Sequence, residues 1–280
     1  MTIQIKPMQE SHLDQAFALT QNLKWPHRLA DWQQALRLGE GVIAEEEGKV
    51  LGTAIFWRWG GSYASLGLVI VADEAQGKGL GKQLMRTMLE KLEGSTVRLH
   101  ATGMGMPLYE KLGFVAVGHI EQHQCRELGD ISPLLPEQSQ QLRSATPVDL
   151  EHLIALDHQA HGQHRPELIT SLSESAERIL VLEEQGAVVG FACLRRFGHG
   201  FAIGPIICRD LACAKVLVSS LLAGLKGEFV RIDTDSEYGL GDWLTTLGLT
   251  EVDRPVTMIK GVPWQPNGML AYGLMSQAMA

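Results

Sequence analysis

Residues 76–81, "QGKGLG", are the stretch of the sequence that points most directly to chemistry. Three glycines in six residues let the main chain turn tightly enough for several N–H groups to point in one direction. Lys78 and Lys82 add positive charge beside this turn. A helix that begins there presents unsatisfied N–H donors and a partial positive charge, which suit a phosphate group. The stretch therefore predicts an anion-binding turn, with a purely structural glycine turn as the alternative.

Three phosphate-loop patterns can be compared with this turn. A Walker loop, GxxxxGK[ST], fails because Gln76 occupies the place of the first glycine and Gln83 follows Lys82. A dinucleotide turn, GxGxxG, fails because Gly81 comes one residue early. The pattern Q/R-x-x-G-x-G/A is met in full by Gln76, Gly79 and Gly81. The turn is thus predicted to bind a pyrophosphate, although it is neither a Walker loop nor a dinucleotide-binding turn.

The elements around the turn are predicted to hold it rigidly. The apolar run "SLGLVIV" before it has the length of a buried strand, and the stretch after it has apolar residues at helical spacing. For the first 125 residues the pattern predicts helices over 11–23, 29–38, 79–93 and 105–112. It predicts strands over 2–6, 41–46, 50–58, 63–71, 96–100 and 114–121.

The second half of the chain repeats the first. "VIAEEEGKVLGTAIF" from Val42 returns as "ILVLEEQGAVVGFACL" from Ile179, and "VRLHAT" returns as "VRIDTD". The offset is 138 residues for Gly48 and Gly186, and "YEKLGFVAV" matches "WLTTLGLTEV" at an offset of 135. With "IKPMQESHLDQAFALT" from Ile5, which returns as "LRSATPVDLEHLIALD" from Leu142, these make four matched segments in one order and predict two copies of the same fold. We expect domains at 1–126 and 142–280, joined by a proline-interrupted linker at 127–141.

These motifs resemble the GNAT acyl-CoA N-acyltransferases, whose pyrophosphate loop has the Q/R-x-x-G-x-G/A pattern. "YEKLGF", which follows Gly81 by 28 residues, is similar to the Tyr-x-x-x-Gly-Phe segment of that family. The second half resembles the degenerate acetyltransferase-18-type domain of tandem GNAT proteins. The resemblance implies an α+β, three-layer fold in each half, with a mixed central sheet flanked by helices.

The resemblance also implies acetyl-CoA as co-substrate, with no metal. Main-chain groups of the strand before the turn would bind the pantetheine arm, and Thr102 stands where the family often has asparagine. The implied cofactor-binding residues are Val69, Ile70, Val71, Gln76, Gly77, Lys78, Gly79, Leu80, Gly81, Lys82, Thr102 and Tyr109.

Acyl transfer from a thioester to an amine needs a deprotonated amine, a polarised carbonyl and a proton for the leaving thiolate. Tyr109 is the implied proton donor, because a phenol with a pKa of about 10 pairs well with a thiol of about 8.5. The catalytic base is open between His27, His100 and water relayed from a carboxylate. The implied acceptor-binding residues are Trp25, Arg28, Trp32, His100 and Asp233; tryptophans that anchor a helix are the alternative for two of them.

The second copy is predicted to have lost the cofactor site. Leu211, Ala212, Cys213 and Ala214 stand where the first copy has its loop glycines, and Trp243 or Leu244 matches Tyr109. The segment "HGQHR", residues 161–165, has two histidines but no acidic partner at metal-site spacing, so a polar surface is favoured over a metal site.

The composition limits the partners that we expect. The net charge of −8 argues against nucleic acid and anionic membranes, and no signal peptide or membrane span is visible, so a cytoplasmic protein is expected. The function expected is acetyl transfer to a small-molecule primary amine by direct attack in a ternary complex, in a monomer or homodimer. A CoA-binding regulatory or sensor protein without turnover is one alternative, and an acetyltransferase of protein N-termini or lysines is the other.

Overall fold

The computed structural model describes residues 3–279 and divides them into two compact units. The first unit holds residues 3–116 together with Met258–Val262 and residues 278–279. The second holds Val117–Thr257 and Pro263–Gln277. The start of the predicted first strand at Thr2, and the predicted outer domain limits at Met1 and Ala280, lie outside the described residues.

The secondary structure of the first half follows the sequence pattern closely. Its elements are β1 (Gln4–Pro7), α1 (Leu13–Asn22), α2 (Leu29–Leu38), β2 (Glu40–Glu46), β3 (Lys49–Trp59), β4 (Tyr63–Val71), α3 (Leu80–Lys91), β5 (Thr96–Ala101), α4 (Met106–Lys111) and β6 (Val115–Cys125).

The second half runs through the same order of elements and adds strands at its end. These are β7 (Gln140–Ser144), α5 (Leu150–His161), α6 (Pro166–Ser175), β8 (Arg178–Glu184), β9 (Ala187–Phe197), β10 (Gly200–Cys208), α7 (Leu211–Leu222), β11 (Val230–Asp235), α8 (Leu240–Thr246), β12 (Thr250–Asp253), β13 (Val256–Lys260) and β14 (Leu270–Gly273).

The sheet of the first unit has the order β1-β2-β3-β4-β5-β13 and mixes antiparallel with parallel neighbours. Its two faces carry different helices. Trp57 donates a hydrogen bond from Nε1 to the Ala35 carbonyl of α2, while the neighbouring residue Arg58 donates to the Lys91 carbonyl of α3. Because successive strand residues face opposite sides, α1 and α2 cover one face and α3 covers the other. The predicted mixed sheet flanked by helices is confirmed.

Helix α3 is fixed on its face of the sheet by apolar side chains. Leu84, Met85 and Met88 are fully buried, and Leu80 is 3% exposed. Each such side chain contributes about 1.5–3 kcal/mol by leaving water. The beginning of α3, which carries the glycine-rich turn, is therefore held in place by the core of the first unit.

The two halves share a local conformation that supports their origin as copies of one fold. The β2–β3 hairpin turns at Glu47 and Gly48, with φ of 51° and 80°, and the β8–β9 hairpin turns at Gln185 and Gly186 with the same pair of angles. Two successive positive φ angles define the turn that matches the twist of a two-residue hairpin. The repeat seen in the sequence thus extends to backbone geometry.

The sheet of the second unit has the order β6-β11-β14-β10-β9-β8-β7, and β12 pairs with β6. Its core lies between this sheet and α7, whose residues Ala214, Leu217, Val218 and Leu222 are fully buried. Strand β6 lies in the predicted first domain, yet its residues from Val117 onward belong to the second unit.

Residues 127–141, predicted as a linker, contain no regular helix or strand before β7 begins at Gln140. They pack on the second unit: Leu128 is 2% exposed within its core, and the Leu134 N–H donates to Ser219 Oγ of α7. Among residues 3–279, no helix combines the length and the apolar character that crossing a bilayer requires.

Candidate functional site

The glycine-rich turn faces open space in the first unit. Gly77 and Gly79 adopt φ of 74° and 76°, a region that other residues enter only with strain. A Cβ atom placed on either glycine would meet no atom of the described residues within 4 Å. Packing against protein therefore explains neither glycine. Both are required by the backbone conformation, and the space before them is free for a ligand.

The beginning of α3 offers main-chain donors at the same place. Gly79 is the N-cap residue and carries no side chain that could accept a hydrogen bond from the first turn. Lys78 and Lys82 are exposed on either side. The N–H groups of a first turn, the helix dipole and two lysines together form a site for an anion.

Gln76 ties the turn to the end of β4. Its side-chain amide donates to the carbonyl oxygen of Val71 at 3.3 Å and to Oδ1 of Asp73 at 3.0 Å. The glutamine of the sequence pattern thus orders the loop in this structure, so its part is to position the turn relative to the strand that precedes it.

Strands β4 and β5 separate beside the turn. Their parallel pairing is confined to residues 63–65 and 96–98, although β4 continues to Val71 and β5 to Ala101. Beyond Ser65, no described strand pairs with β4 on its β5 side. Leu68 has φ of 52° and interrupts the register with β3, which marks a β-bulge. The predicted arm-binding residues Val69, Ile70 and Val71 lie along this open part of β4.

Tyr109 lies on α4, which packs against the beginning of α3. A Cβ atom on Gly81 would lie 3.4 Å from Leu108 Cδ2, so the two helices are in contact there. The Tyr109 ring packs edge-on to Phe114 and close to Gly105, where a Cβ atom would lie 2.8 Å from the ring. Burial raises the pKa of Tyr109 to about 12, so the phenol stays protonated at neutral pH.

The exposed Thr102 contributes its main chain to the turn before α4. Its carbonyl oxygen accepts hydrogen bonds from the N–H groups of Gly105 and Met106 at 2.9 and 3.1 Å.

A contact at the other end of α4 was not predicted from the sequence. Lys260 of β13 donates from Nζ to the Leu112 carbonyl at 2.9 Å, which satisfies the last turn of the helix that carries Tyr109. No motif marks Lys260, since its partner lies 148 positions earlier in the chain.

His100 lies on the α1–α2 face at the point where the strands separate. Trp57 pairs with Ser65 and Ser65 with Arg98, so these side chains share a face, and His100 follows Arg98 by two residues. The imidazole is part-exposed, but its Nε2 atom is buried. Burial, helped by the charge of Arg98, holds the pKa of His100 well below its ordinary value. The ring is therefore a neutral imidazole at pH 7.

The "WPHRLADW" segment contributes less than its composition suggests. Trp32 is fully buried and donates from Nε1 to Thr20 Oγ1 at 3.3 Å, so it packs α2 against α1 and has no surface for an acceptor. Arg28 forms an ion pair with Asp31 at 2.8 Å, which fixes the start of α2. Trp25 and His27 are part-buried, with ring centroids 5.9 Å apart.

The place of the turn in the second unit is occupied by a side chain. Asp210 is the N-cap residue of α7, and its Oδ1 accepts from the Cys213 N–H at 2.9 Å. A carboxylate there satisfies a first-turn donor and repels an anion. Leu244, at the position matching Tyr109, is fully buried and cannot donate a proton.

A strand fills the gap that the second unit would offer to an acyl-CoA arm. Strands β10 and β11 pair directly only at residues 201–202 and 230–231. Beyond these pairs β14 lies between them, with Cys208 facing Leu270 and Thr234 facing Gly273. The predicted loss of the cofactor site in this copy thus has a second basis that its sequence pattern did not reveal.

Two sequence interpretations in the second unit need correction. Asp233 is 7% exposed, and its carboxylate accepts hydrogen bonds from Nε and Nη2 of Arg231. Its charge is therefore neutralised by Arg231 and is not presented to a cationic acceptor. The "HGQHR" segment is not a polar surface: His161 and Gln163 are about 1% exposed, and Arg165 pairs with the buried Asp157 at 2.6 Å.

One group in the second unit has side chains of the types that bind metals. Ligand atoms of Glu121, His123 and Glu251 all lie within 4.8 Å of one another. Arg254 already pairs with both carboxylates at 2.8 Å, and this ion-pair network accounts for the arrangement without a metal.

Comparison with known proteins agrees with this geometry. A family model of the acetyltransferase (GNAT) domain matches residues 38–116. A second model of this domain, of the acetyltransferase-18 type, matches residues 153–273. The uncharacterized N-acetyltransferase YitH of Bacillus subtilis is 34% identical over 224 residues, 78% of this chain and 77% of that protein. Holothin acyltransferase of a Pseudoalteromonas species is 23% identical over 253 residues, 88% of this chain and 83% of that protein.

A crystal structure of an acetyltransferase-like protein from Pyrococcus horikoshii superposes with a TM-score of 0.81 at 18% identity, covering 99% of this chain and 96% of that one. The likeness extends over both halves, as the repeat in the sequence requires. The chain therefore belongs to the GNAT acetyltransferase family and carries one GNAT domain in each half.

Proposed function

We propose that the protein transfers an acetyl group from acetyl-CoA to the primary amine of a small molecule, and that the first unit alone does so. The observation that carries this proposal is the contrast between the two copies. The turn of the first is open and uncapped beside separated strands, whereas Asp210 and β14 occupy the same places in the second. One fold has thus kept the groove in only one of its copies.

The residues of the first unit fit acetyl-CoA as substrate. The N–H groups of residues 79–82, with Lys78 and Lys82, receive the pyrophosphate. The open edge of β4 from Val69 to Val71 hydrogen-bonds the pantetheine arm, in the manner of an added strand. A main-chain N–H near the Leu68 bulge polarises the thioester carbonyl, because a bulge turns main-chain groups out of the regular ladder.

Tyr109 supplies the proton that the leaving thiolate needs. The amine nitrogen forms a bond to the acyl carbon, the carbon–sulfur bond breaks, and the electron pair leaves on sulfur. Burial keeps the phenol protonated, with its pKa raised to about 12. A thiolate still shielded from water in the groove is more basic than a free one, whose conjugate thiol titrates near about 8.5, so the proton passes from the phenol to sulfur before CoA leaves, and water then reprotonates the phenoxide.

His100 is the better-placed of the two histidines for accepting the proton of the attacking amine. It lies on the sheet face opposite α3, at the point where β4 and β5 separate, and its lowered pKa makes it a weak base that takes the proton only once the forming nitrogen–carbon bond has made that proton acidic. An amine that approaches the open groove from the α1–α2 face meets this imidazole. His27, in the loop before α2, is the second candidate.

The names of the relatives agree with acyl transfer. YitH is named an N-acetyltransferase, and holothin acyltransferase is named for the molecule that it acylates. A named compound as acceptor favours a small molecule over a protein N-terminus or lysine for this chain as well.

The test measures thiol release from acetyl-CoA in the presence of separate amines: amino acids, polyamines, arylalkylamines, aminoglycosides and lysine peptides. The proposal expects release with at least one small amine and a loss of kcat in Tyr109→Phe with CoA affinity retained. Tight CoA binding without release for any amine would instead identify a sensor, and release with peptides alone would identify a protein acetyltransferase.

A further inference from the structure

Residues 278 and 279 lie against β4 inside the first unit, close to where its strands separate. A Cβ atom on Gly67 would lie 2.8 Å from both Cα and Cβ of Ala278 and 3.2 Å from its carbonyl oxygen. Gly67 is therefore a glycine because the main chain of Ala278 takes the space that a side chain would need.

A polar contact fixes the segment on this strand. Ser65 Oγ donates to the Met279 carbonyl at 3.2 Å and accepts from Trp59 Nε1 at 2.8 Å. Met279 is 5% exposed, Ser65 2% and Trp59 1%. A buried backbone carbonyl with a buried hydroxyl partner is an ordered contact, since leaving either group unsatisfied costs free energy.

The segment lies on the α1–α2 face of the sheet. Ser65 and Gly67 are cross-strand neighbours of Trp57 and Ile55, and Trp57 points to α2. Ser65 is also the last residue of β4 that pairs with β5. Residues 278 and 279 thus cover β4 between its last β5 pair and the bulge at Leu68, on the side away from the glycine-rich turn.

We propose that Ala278 and Met279 form one wall of the acceptor site, and that Met279 selects primary amines with an apolar group next to the nitrogen. The inference rests on the proposed function, in which the thioester reaches the gap from the α3 side and the amine from the α1–α2 face. The amine then passes the segment to reach the gap. A methionine fits this role because its flexible thioether side chain adapts to apolar groups of different shape.

The inference is tested first without turnover, by NMR of the protein labelled with ¹³C-methyl methionine and saturated with CoA. Benzylamine, tryptamine, spermidine and glycinamide are the probes. The arylalkylamines are expected to shift the Met279 methyl signal, assigned with Met279→Leu, more than spermidine does. Met8, similarly buried at 7% exposure but beside Gly41 of β2, is the matched reference whose signal stays in place.

A panel in which no amine moves the Met279 signal overturns the inference, whether or not the enzyme turns over. If thiol release occurs with amines that leave this signal unmoved, the inference fails while the proposed function stands. If the signal moves but no thiol is released, the acceptor wall is supported and the proposed acetyl transfer fails.

The second measurement compares specificity between variants. Met279→Ala is expected to change the ratio of kcat/KM for benzylamine and spermidine by about tenfold, because emptying one apolar contact changes the discrimination between substrates by at least about that factor. The Kd for CoA is expected to stay within about threefold of the native value. Gly67→Ala, which must displace Ala278, changes the same ratio, and Met8→Ala leaves it unchanged. An identical ratio in all four proteins contradicts the inference.

Discussion

Replacing Gly79 by alanine tests whether the left-handed backbone of the glycine-rich turn is needed for ligand binding. Gly79 holds φ of 76° as the N-cap of α3, and nothing lies within 4 Å of its missing Cβ. The added methyl group therefore meets no steric obstacle; what it opposes is the left-handed backbone, at a cost of about 1–2 kcal/mol. Because the loop is exposed and no packing holds it in this conformation, the turn is expected to relax and to direct its N–H groups away from the ligand.

The relaxed outcome sets the expected loss of affinity. Losing one hydrogen bond to a charged pyrophosphate costs about 1.5–3 kcal/mol, which corresponds to roughly 10- to 100-fold in the Kd for CoA. Gly81→Ala is the matched control, because Gly81 lies within the helix and its Cβ would make ordinary contacts at 3.4 and 3.8 Å with Leu108 and Val71. Removing a helix glycine gains up to about 1 kcal/mol of stability, so the Kd should stay within about threefold.

Isothermal titration calorimetry with CoA measures both variants, and circular dichroism confirms that each is folded. The reasoning is refuted if Gly79→Ala binds CoA as tightly as the native protein. It is equally refuted if Gly81→Ala loses as much affinity as Gly79→Ala, because the backbone angle would then not be the cause.

Three further outcomes are expected. Tyr109→Phe should lower kcat by at least 10²-fold with the Kd for CoA unchanged. Burial raises the pKa of Tyr109 to about 12, so a pH–rate series of the native protein should show no loss of rate from ionisation of this phenol below about pH 10.5. Because the pKa of His100 is lowered by folding, the unfolded chain binds a proton near pH 6.5 that the folded chain does not bind. The free energy of unfolding should therefore fall as the pH drops below about 6.5, by up to about 1.4 kcal/mol per pH unit. Urea titrations of His100→Gln should show a smaller fall. Arg165→Met should destabilise the second unit by about 3–5 kcal/mol in denaturant titrations, since it leaves the buried Asp157 carboxylate without its guanidinium partner and with the imidazole of His161 3.7 Å away. Adding Asp157→Leu should recover most of the loss.

The sequence predicted those parts of the first copy that depend on local signals. The turn at residues 76–81 and the boundaries of α2 and β4 follow from glycine placement and from the period of apolar residues, and each matches the structure within a residue or two. The doubled fold followed from the repeat. These features are local because turn chemistry and amphipathic periodicity act over a few residues.

Other parts could not be predicted, because they depend on which distant segments meet. A period of two shows which face of a strand is buried but does not identify its neighbour, so nothing marked β14 as the strand between β10 and β11. The same holds for Lys260 at the end of α4 and for Ala278 over Gly67. Trp32, for which the sequence left acceptor binding and helix anchoring open, is a further case, because only the packing of α1 over it decides that its side chain is buried.

The gap between the two diverging strands leads to a last prediction, because a separated strand leaves main-chain groups that need partners. In the second unit β14 supplies them to residues 206–208 of β10, whereas on the side of β4 away from β3 no described strand does so for residues 69–71. Hydrogen exchange followed by mass spectrometry should therefore find residues 206–208 protected in the free protein and 66–72 less so. Saturation with CoA at about 100 times its Kd should stabilise the first unit by about 2.7 kcal/mol and slow exchange at 66–72 and at the turn over 77–82, with residues 206–208 unchanged. Equal protection of both segments without ligand, or slowing at 206–208, would show that an acyl-CoA arm does not take the place in the first copy that β14 takes in the second.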